Sequence, residues 1–98
     1  MSQPLRDYEL VMALSPAANP EEADSFVQKI SDFITEKGGT TSEPKKWGVR
    51  RLSFPIKRFQ EGNYIAADFT LSASSIMELE HTLTASEDVL VHLVSRTG

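Results

Sequence analysis

The sequence contains no cysteine, one tryptophan and only two histidines, His81 and His92. The absence of cysteine excludes disulfide bonds, a thiol nucleophile and a thiolate zinc site, and two histidines are too few for an all-histidine metal centre. No apolar run approaches the roughly 20 residues that a membrane-spanning helix needs, and the first ten residues lack the apolar core of a signal peptide. We therefore expect a cytoplasmic protein with no membrane contact, no metal and no cofactor.

Sequence motifs typical of enzymes are also absent. The chain has no Gly-x-Ser-x-Gly elbow, no glycine-rich phosphate loop ending in Lys-Ser/Thr, and no His-Glu-x-x-His. Serine and histidine both occur, but nothing in their spacing indicates a catalytic triad. We expect a protein that acts by binding, with no catalytic residues and no small-molecule substrate.

A chain of 98 residues can form one two-layer core, so we expect a single domain over residues 1–98 with an ordered core at about 5–95. Hydrophobic periodicity and turn residues divide it into six segments. The first three are a strand at 8–14, a helix capped by Asn19 and ended by Gly38 and Gly39, and a bent edge strand at 40–54 interrupted by Pro44 and Gly48. A turn at 60–63 then leads to a strand at 64–71. The last two are a helix that begins near Ser75 and Glu78, in capping-box spacing, and a buried strand at 89–94.

The order strand, helix, strand, strand, helix, strand is typical of an α+β ferredoxin-like fold, the split βαβ pattern. It predicts a four-stranded antiparallel sheet with both helices on one face. Right-handed crossovers place the first and third strands in the middle of the sheet and the second and fourth at its edges.

The basic residues are concentrated in one part of the chain. Six of the ten Lys and Arg residues fall within residues 45–58, which contain no Asp or Glu, so this basic segment carries a formal charge of +6. The other residues include four basic and fourteen acidic side chains, a formal −10, and should repel a polyanion everywhere else. The distribution favours one oriented contact with an anionic partner.

The basic segment also contains Trp47 and a phenylalanine, and RNA sites combine such features because cations bind phosphates while exposed rings stack on bases. RNA binding is the interpretation we favour. The alternative is that Arg50 and Arg51 are solvated charges that discourage edge-to-edge aggregation of strands, while Trp47 covers the core.

Three stretches together resemble one family. They are the run from Leu5 to Leu10 with the Ser15-Pro16 turn, the run from Gly48 to Lys57 that reads Gly-Val-Arg-Arg-Leu-Ser-Phe-Pro-Ile-Lys, and the run from Gly62 to Ile65. The chain is similar to bacterial small-subunit ribosomal proteins of the S-six family, in order and without large gaps from about residue 5 to 94. The resemblance implies no enzymatic activity, binding to the central domain of small-subunit ribosomal RNA, and pairing there with the S-eighteen ribosomal protein.

Carried over by position, Arg50 and Arg51 match the paired arginines of that family, and Tyr8 matches the aromatic residue of its N-terminal motif. Asp7 stands where some members have a second basic residue, so contact near the N-terminus would depend on Arg6; Tyr8 could equally be a core residue. No function that depends on a longer polar tail is expected. The predicted RNA-binding residues are Arg6, Tyr8, Lys45, Lys46, Trp47, Arg50, Arg51, Lys57 and Arg58.

Other functions remain open because ferredoxin-like domains serve several classes of protein. A small-ligand regulatory domain would need an effector pocket at a dimer interface. A small phosphatase would need a phosphate-binding loop after the first strand, where the chain has only Ser15-Pro16-Ala17-Ala18. A plain protein-interaction module would bind its partner equally well without RNA.

Overall fold

The computed structural model describes residues 4–17, 19–56 and 58–97. Its elements are β1 (Leu5–Leu14), α1 (Pro20–Glu36), β2 (Lys45–Ile56), β3 (Phe59–Ser72), α2 (Ala73–Ala85) and β4 (Val89–Arg96). The sheet has the strand order β2-β3-β1-β4 with every neighbouring pair antiparallel. The predicted ferredoxin-like fold is confirmed, with β1 and β3 in the centre and β2 at an edge.

Helix α1 begins where the sequence predicts it. The Asn19 Oδ1 atom accepts a hydrogen bond from the Glu22 N–H at 2.8 Å, which satisfies one of the N–H groups that a helix start leaves unpaired. The helix is followed by Gly38 at φ 86°, and the Gly39 N–H donates to the Ile34 carbonyl at 2.9 Å. A left-handed glycine after the last turn is a common helix ending, because it lets the chain reverse without a Cβ clash.

Both helices pack on the same face of the sheet and form the main core with it. Alternate residues of β1 and β3 point to this side, which we call the helix-covered face. Its buried side chains from the sheet and helices include Leu10, Met12, Leu14, Ile30, Ile34, Ile65, Phe69, Leu71, Leu79 and Leu83. The core is therefore one layer between the sheet and the two helices.

The opposite side of the sheet, which we call the open face, carries no helix in the described part of the chain. A small apolar cluster of Ala13, Leu52 and Leu90 lies at one end of it. The prediction that the last strand is buried is wrong for Val91 and Leu93, which are 40% and 61% exposed. Both residues pair with β1 residues of the open face. The prediction failed because an all-apolar run indicates burial but does not show which face of the strand is covered.

The predicted turn at residues 60–63 is also wrong, because these residues lie within β3. Ile56 pairs with Phe59, so the chain reverses between these two residues, and Arg58 adopts a positive φ of 71° there. Gly62 permits close packing instead of a turn, since a Cβ there would lie 2.9 Å from the Ala13 Cβ.

The start of α2 differs from the prediction by three residues. Ser72 is the N-cap and makes no side-chain capping bond, while Ser75 lies inside the helix and is buried. The Ser72 hydroxyl instead donates to the Ser75 Oγ at 3.1 Å. The run from Ser72 to Ser75 contains three serines, so the sequence offers several possible N-caps. The helix begins at the first of them because β3 ends at Ser72.

Candidate nucleic-acid interface

The basic segment forms β2 and the turn after it, at the edge of the sheet. Of the residues from Lys45 to Ile56, only Leu52 is buried, and ten of the others are exposed. An edge strand with this many accessible cations can meet an RNA backbone without any rearrangement of the fold. This arrangement agrees with the predicted placement of the segment on an edge strand and hairpin.

The cations of β2 are divided between two faces of the sheet. Arg50 pairs with Gly62 and Arg51 with Glu61, and successive residues of a strand point to opposite sides. Arg50 lies on the open face, over the Trp47 ring at 5.7 Å. Arg51 lies on the other side, so the two adjacent arginines meet different surroundings. Their spacing predicts opposite sides, but only the register with β3 shows which side each one takes.

Trp47 is held on the open face by Tyr64. Their ring centroids are 6.4 Å apart with an interplanar angle of 15°, and Trp47 remains 44% exposed. A register shift between Lys46 and Gly48, where Gly48 has φ 87°, turns the ring to this side. Trp47 therefore presents a partly open aromatic surface, with the Arg50 guanidinium within the roughly 6 Å range of cation–π attraction.

Lys46 points to the helix-covered side and meets α1. Its Nζ lies 2.7 Å from Asp24 Oδ1, in an ion pair whose two side chains are more than half exposed. Exposed pairs of this kind contribute about 0–1 kcal/mol, so a phosphate could replace Asp24 at little cost. Lys45 pairs with Ala66 across the sheet and is exposed on the open face.

Arg58 lies at the tip of the β2–β3 hairpin and is exposed. Its left-handed backbone is unusual for a residue with a long side chain and costs about 1–2 kcal/mol. Lys57, the other predicted cation at this tip, lies outside the described residues. The described part of the hairpin thus places Arg51, Phe54 and Arg58 at one end of the molecule.

Arg6 and Tyr8 lie far from the two arginines of the basic segment. Arg6 pairs with Leu71 and Arg50 pairs with Gly62, nine residues apart along β3, which is about 30 Å of strand. Tyr8 is 8% exposed and stacks on Phe69 with ring centroids 5.5 Å apart. The structure shows Tyr8 as a core residue, and its ring offers almost no surface on which a base could stack.

Sequence reasoning missed two features of the open face. Glu9 of β1 lies directly opposite Asp68 of β3, and we call these two residues the acidic pair. Leu93 of β4 is exposed on the same face. The alternation of each strand contained the signal for these positions, but only the register between strands brings them together.

The loop after β1 is held by a hydrogen bond within the loop and another to the residue before β4. The Ser15 N–H donates to the Asp88 carbonyl at 2.7 Å, and the Ser15 Oγ accepts from the Ala17 N–H at 3.2 Å. A phosphate-binding loop needs such N–H groups to point at the ligand.

Over the described ranges, no group of three or more His, Asp or Glu side chains could hold a metal ion, and neither helix is long and apolar enough to cross a membrane.

The structure is that of a small α+β protein with a split βαβ sheet and one basic edge. Residues 7–96 match the family model of ribosomal protein S6. Small ribosomal subunit protein bS6 of Carboxydothermus hydrogenoformans is 34% identical over 92 residues, which are 94% of this chain and 96% of that protein. The corresponding protein of Dehalococcoides mccartyi is 37% identical over 89 residues, 91% and 82% of the two chains.

A solved structure supports the same fold. The crystal structure of 30S ribosomal protein S6 from Thermotoga maritima matches with a TM-score of 0.86 and 24% identity, over 96% of this chain and 89% of that one. The family model and the two relatives together show that the chain belongs to the ribosomal protein S6 family. This confirms the family predicted from the sequence motifs, whose members belong to the small subunit of the cytoplasmic ribosome in bacteria.

Proposed function

We infer that this protein is a structural, non-enzymatic component of the small ribosomal subunit, where it binds the central domain of the ribosomal RNA together with the S-eighteen ribosomal protein. In this role it holds the geometry of a folded RNA junction and so supports assembly and translation. This role requires binding alone, with no catalytic step and no cofactor.

The observation that carries this proposal is the exposure of the basic segment along the sheet edge. Cations from Lys45 to Arg51 are accessible, and the tip adds Arg58. Both helices, by contrast, carry mainly acidic charges, with Glu21 and Glu22 in the first turn of α1. RNA phosphates attract the basic edge and repel the acidic helices, so the protein can approach RNA in only one orientation.

The part of the open face formed by β1, β4 and Asp68, which does not include Arg50 and Trp47 of β2, is the surface we assign to the partner protein. It combines exposed Leu93 and Val91 with the acidic pair of Glu9 and Asp68. Carboxylates placed side by side repel RNA phosphates and attract Lys and Arg side chains, so this part of the open face fits a basic protein better than RNA. A basic partner would also explain how a chain with a net charge of −4 joins an RNA complex.

The test is a binding measurement with the purified protein, the S-eighteen protein and a central-domain RNA fragment. Replacing both Arg50 and Arg51 with Ala should weaken RNA binding and reduce its salt dependence, because two phosphate contacts and their released counterions are lost. A matched control removes Lys29, a cation of α1 that lies away from the edge. Equal binding by the double variant and the unchanged protein would refute the proposal.

A further inference from the structure

The β2–β3 hairpin contains an irregularity that the family resemblance and the basic charge do not explain. Arg51 pairs with Glu61, and the next pair is Ile56 with Phe59. Four residues of β2, 52–55, therefore lie opposite Gln60 alone. Bulges of this kind redirect side chains and often lie next to functional sites.

The bulge turns Leu52 inward and the following residues outward. Leu52 is buried in the apolar cluster with Ala13 and Leu90. Phe54, two residues later, is 67% exposed. It is not among the side chains that pack against that cluster, which are Ile56, Phe59 and Tyr64. A large apolar ring in this position adds little to the stability of the isolated protein, because most of its surface stays in water.

The exposed ring borders a shallow pocket of about 200 Å³ lined by Arg51, Leu52, Ser53, Phe54, Pro55 and Gln60. The pocket offers an aromatic ring, a guanidinium, a hydroxyl and an amide. Unpaired RNA bases are recognised by this set of groups: the ring stacks on the base, the guanidinium binds the phosphate, and the hydroxyl and amide hydrogen-bond to the base edge.

We propose that this pocket binds one unpaired base of the RNA, with Phe54 stacking on the base and Arg51 binding its phosphate. The proposal rests on the proposed RNA-binding function and adds a residue and a ligand class to it. The lining of the pocket contains the Arg51 guanidinium and no carboxylate, which favours an RNA phosphate over a basic chain, although Glu61 lies opposite Arg51 on β3. The acidic pair and Leu93, on the open face, form a negatively charged and apolar surface that suits a basic partner instead.

The test compares Phe54→Ala with Phe54→Tyr in the complete complex of the protein, the S-eighteen protein and the central-domain RNA fragment. Loss of one base–aromatic stack should weaken RNA binding roughly 5-fold to 100-fold, whereas the tyrosine variant keeps its ring and should bind as the unchanged protein does. Met77→Ala is the matched control, because Met77 is an equally exposed apolar residue, 75% accessible, on α2.

A second measurement locates the base. Unpaired nucleotides of the fragment are replaced one at a time by abasic residues, and binding is measured with each Phe54 variant. At one position the abasic RNA should bind the unchanged protein and the alanine variant equally, because the stacking partner is already missing. Independent effects at every position would overturn the proposal.

Two further outcomes would also decide the question. Unchanged RNA affinity of Phe54→Ala would overturn the base pocket, and so would a loss of affinity for the S-eighteen protein measured without RNA, which would identify a protein contact. The double Arg50 and Arg51 variant, measured in parallel, separates the two proposals. If it loses RNA binding while Phe54→Ala does not, only the base pocket fails; if it binds normally, the proposed function fails.

Discussion

Gly39, three residues after the end of α1, gives the sharpest prediction of stability. A Cβ added at Gly39 would lie 2.0 Å from the Thr70 carbonyl oxygen and 2.9 Å from Ile34 Cγ2. Thr70 lies in central strand β3, where it pairs with Asp7 of β1, and its N–H donates to the Thr40 carbonyl at 2.7 Å. Neither the strand nor the fully buried Ile34 can move aside without loss of other contacts.

The magnitude follows from this crowding. Overpacking in a protein core typically costs about 1–3 kcal/mol, and Gly39→Ala should reach about 3 kcal/mol because backbone must move. For a domain of this size, that change lowers the melting temperature by about 12 °C or more. Urea unfolding and calorimetry both measure it.

Gly38 is the matched control, because its substitution is unfavourable for a different reason. It has φ 86° and no atom within 4 Å of an added Cβ, so Gly38→Ala should cost only about 1 kcal/mol, from the left-handed backbone. Asparagine adopts that backbone more readily, so Gly38→Asn should cost less than Gly38→Ala, whereas Gly39→Asn should be no better than Gly39→Ala. An alanine at Gly39 that costs no more than one at Gly38 would refute the reasoning.

Three further predictions concern single side chains. Asn19→Ala should lower the free energy of unfolding by about 1 kcal/mol in urea titrations, through loss of the bond from the Glu22 N–H; an unchanged value would show that the cap contributes nothing. Asp68→Asn should raise stability by roughly 0.2–1 kcal/mol by relieving repulsion with Glu9, yet weaken binding to the basic partner; a parallel gain in both would contradict the assignment of the open face. Arg58→Gly should stabilise the protein by about 1 kcal/mol and lower the salt dependence of RNA binding, and a loss of stability would contradict the strain inferred at the hairpin tip.

The elements that sequence reasoning predicted well are those whose signals are local. The Asn19 cap with Glu22, and the two glycines after α1, mark helix ends because the groups that make the bonds are neighbours in the chain. The start of α2 was misplaced because the residues from Ser72 to Ser75 offer several equivalent caps. The position of the α2 start depends on where β3 ends, which is a tertiary property.

The candidate site was predicted as a segment but not as a surface. Composition alone located the basic residues and the aromatic Trp47. Strand alternation puts the adjacent Arg50 and Arg51 on opposite sides, but composition could not show which of them lies on the open face, because that depends on the register shift at Gly48 and on the pairing with β3. Gly62 was read as a turn residue, although its actual role is close packing against Ala13, and this error hid the bulge that exposes Phe54.

We expect this protein to be a component of the small ribosomal subunit, bound through its basic edge. The most direct test is cosedimentation of the tagged protein with small subunits from its own cells, washed through increasing salt. We expect retention at one copy per subunit for the unchanged protein, and release at lower salt when Arg50 and Arg51 are both alanine. Absence of the unchanged protein from the subunit fraction would contradict the account.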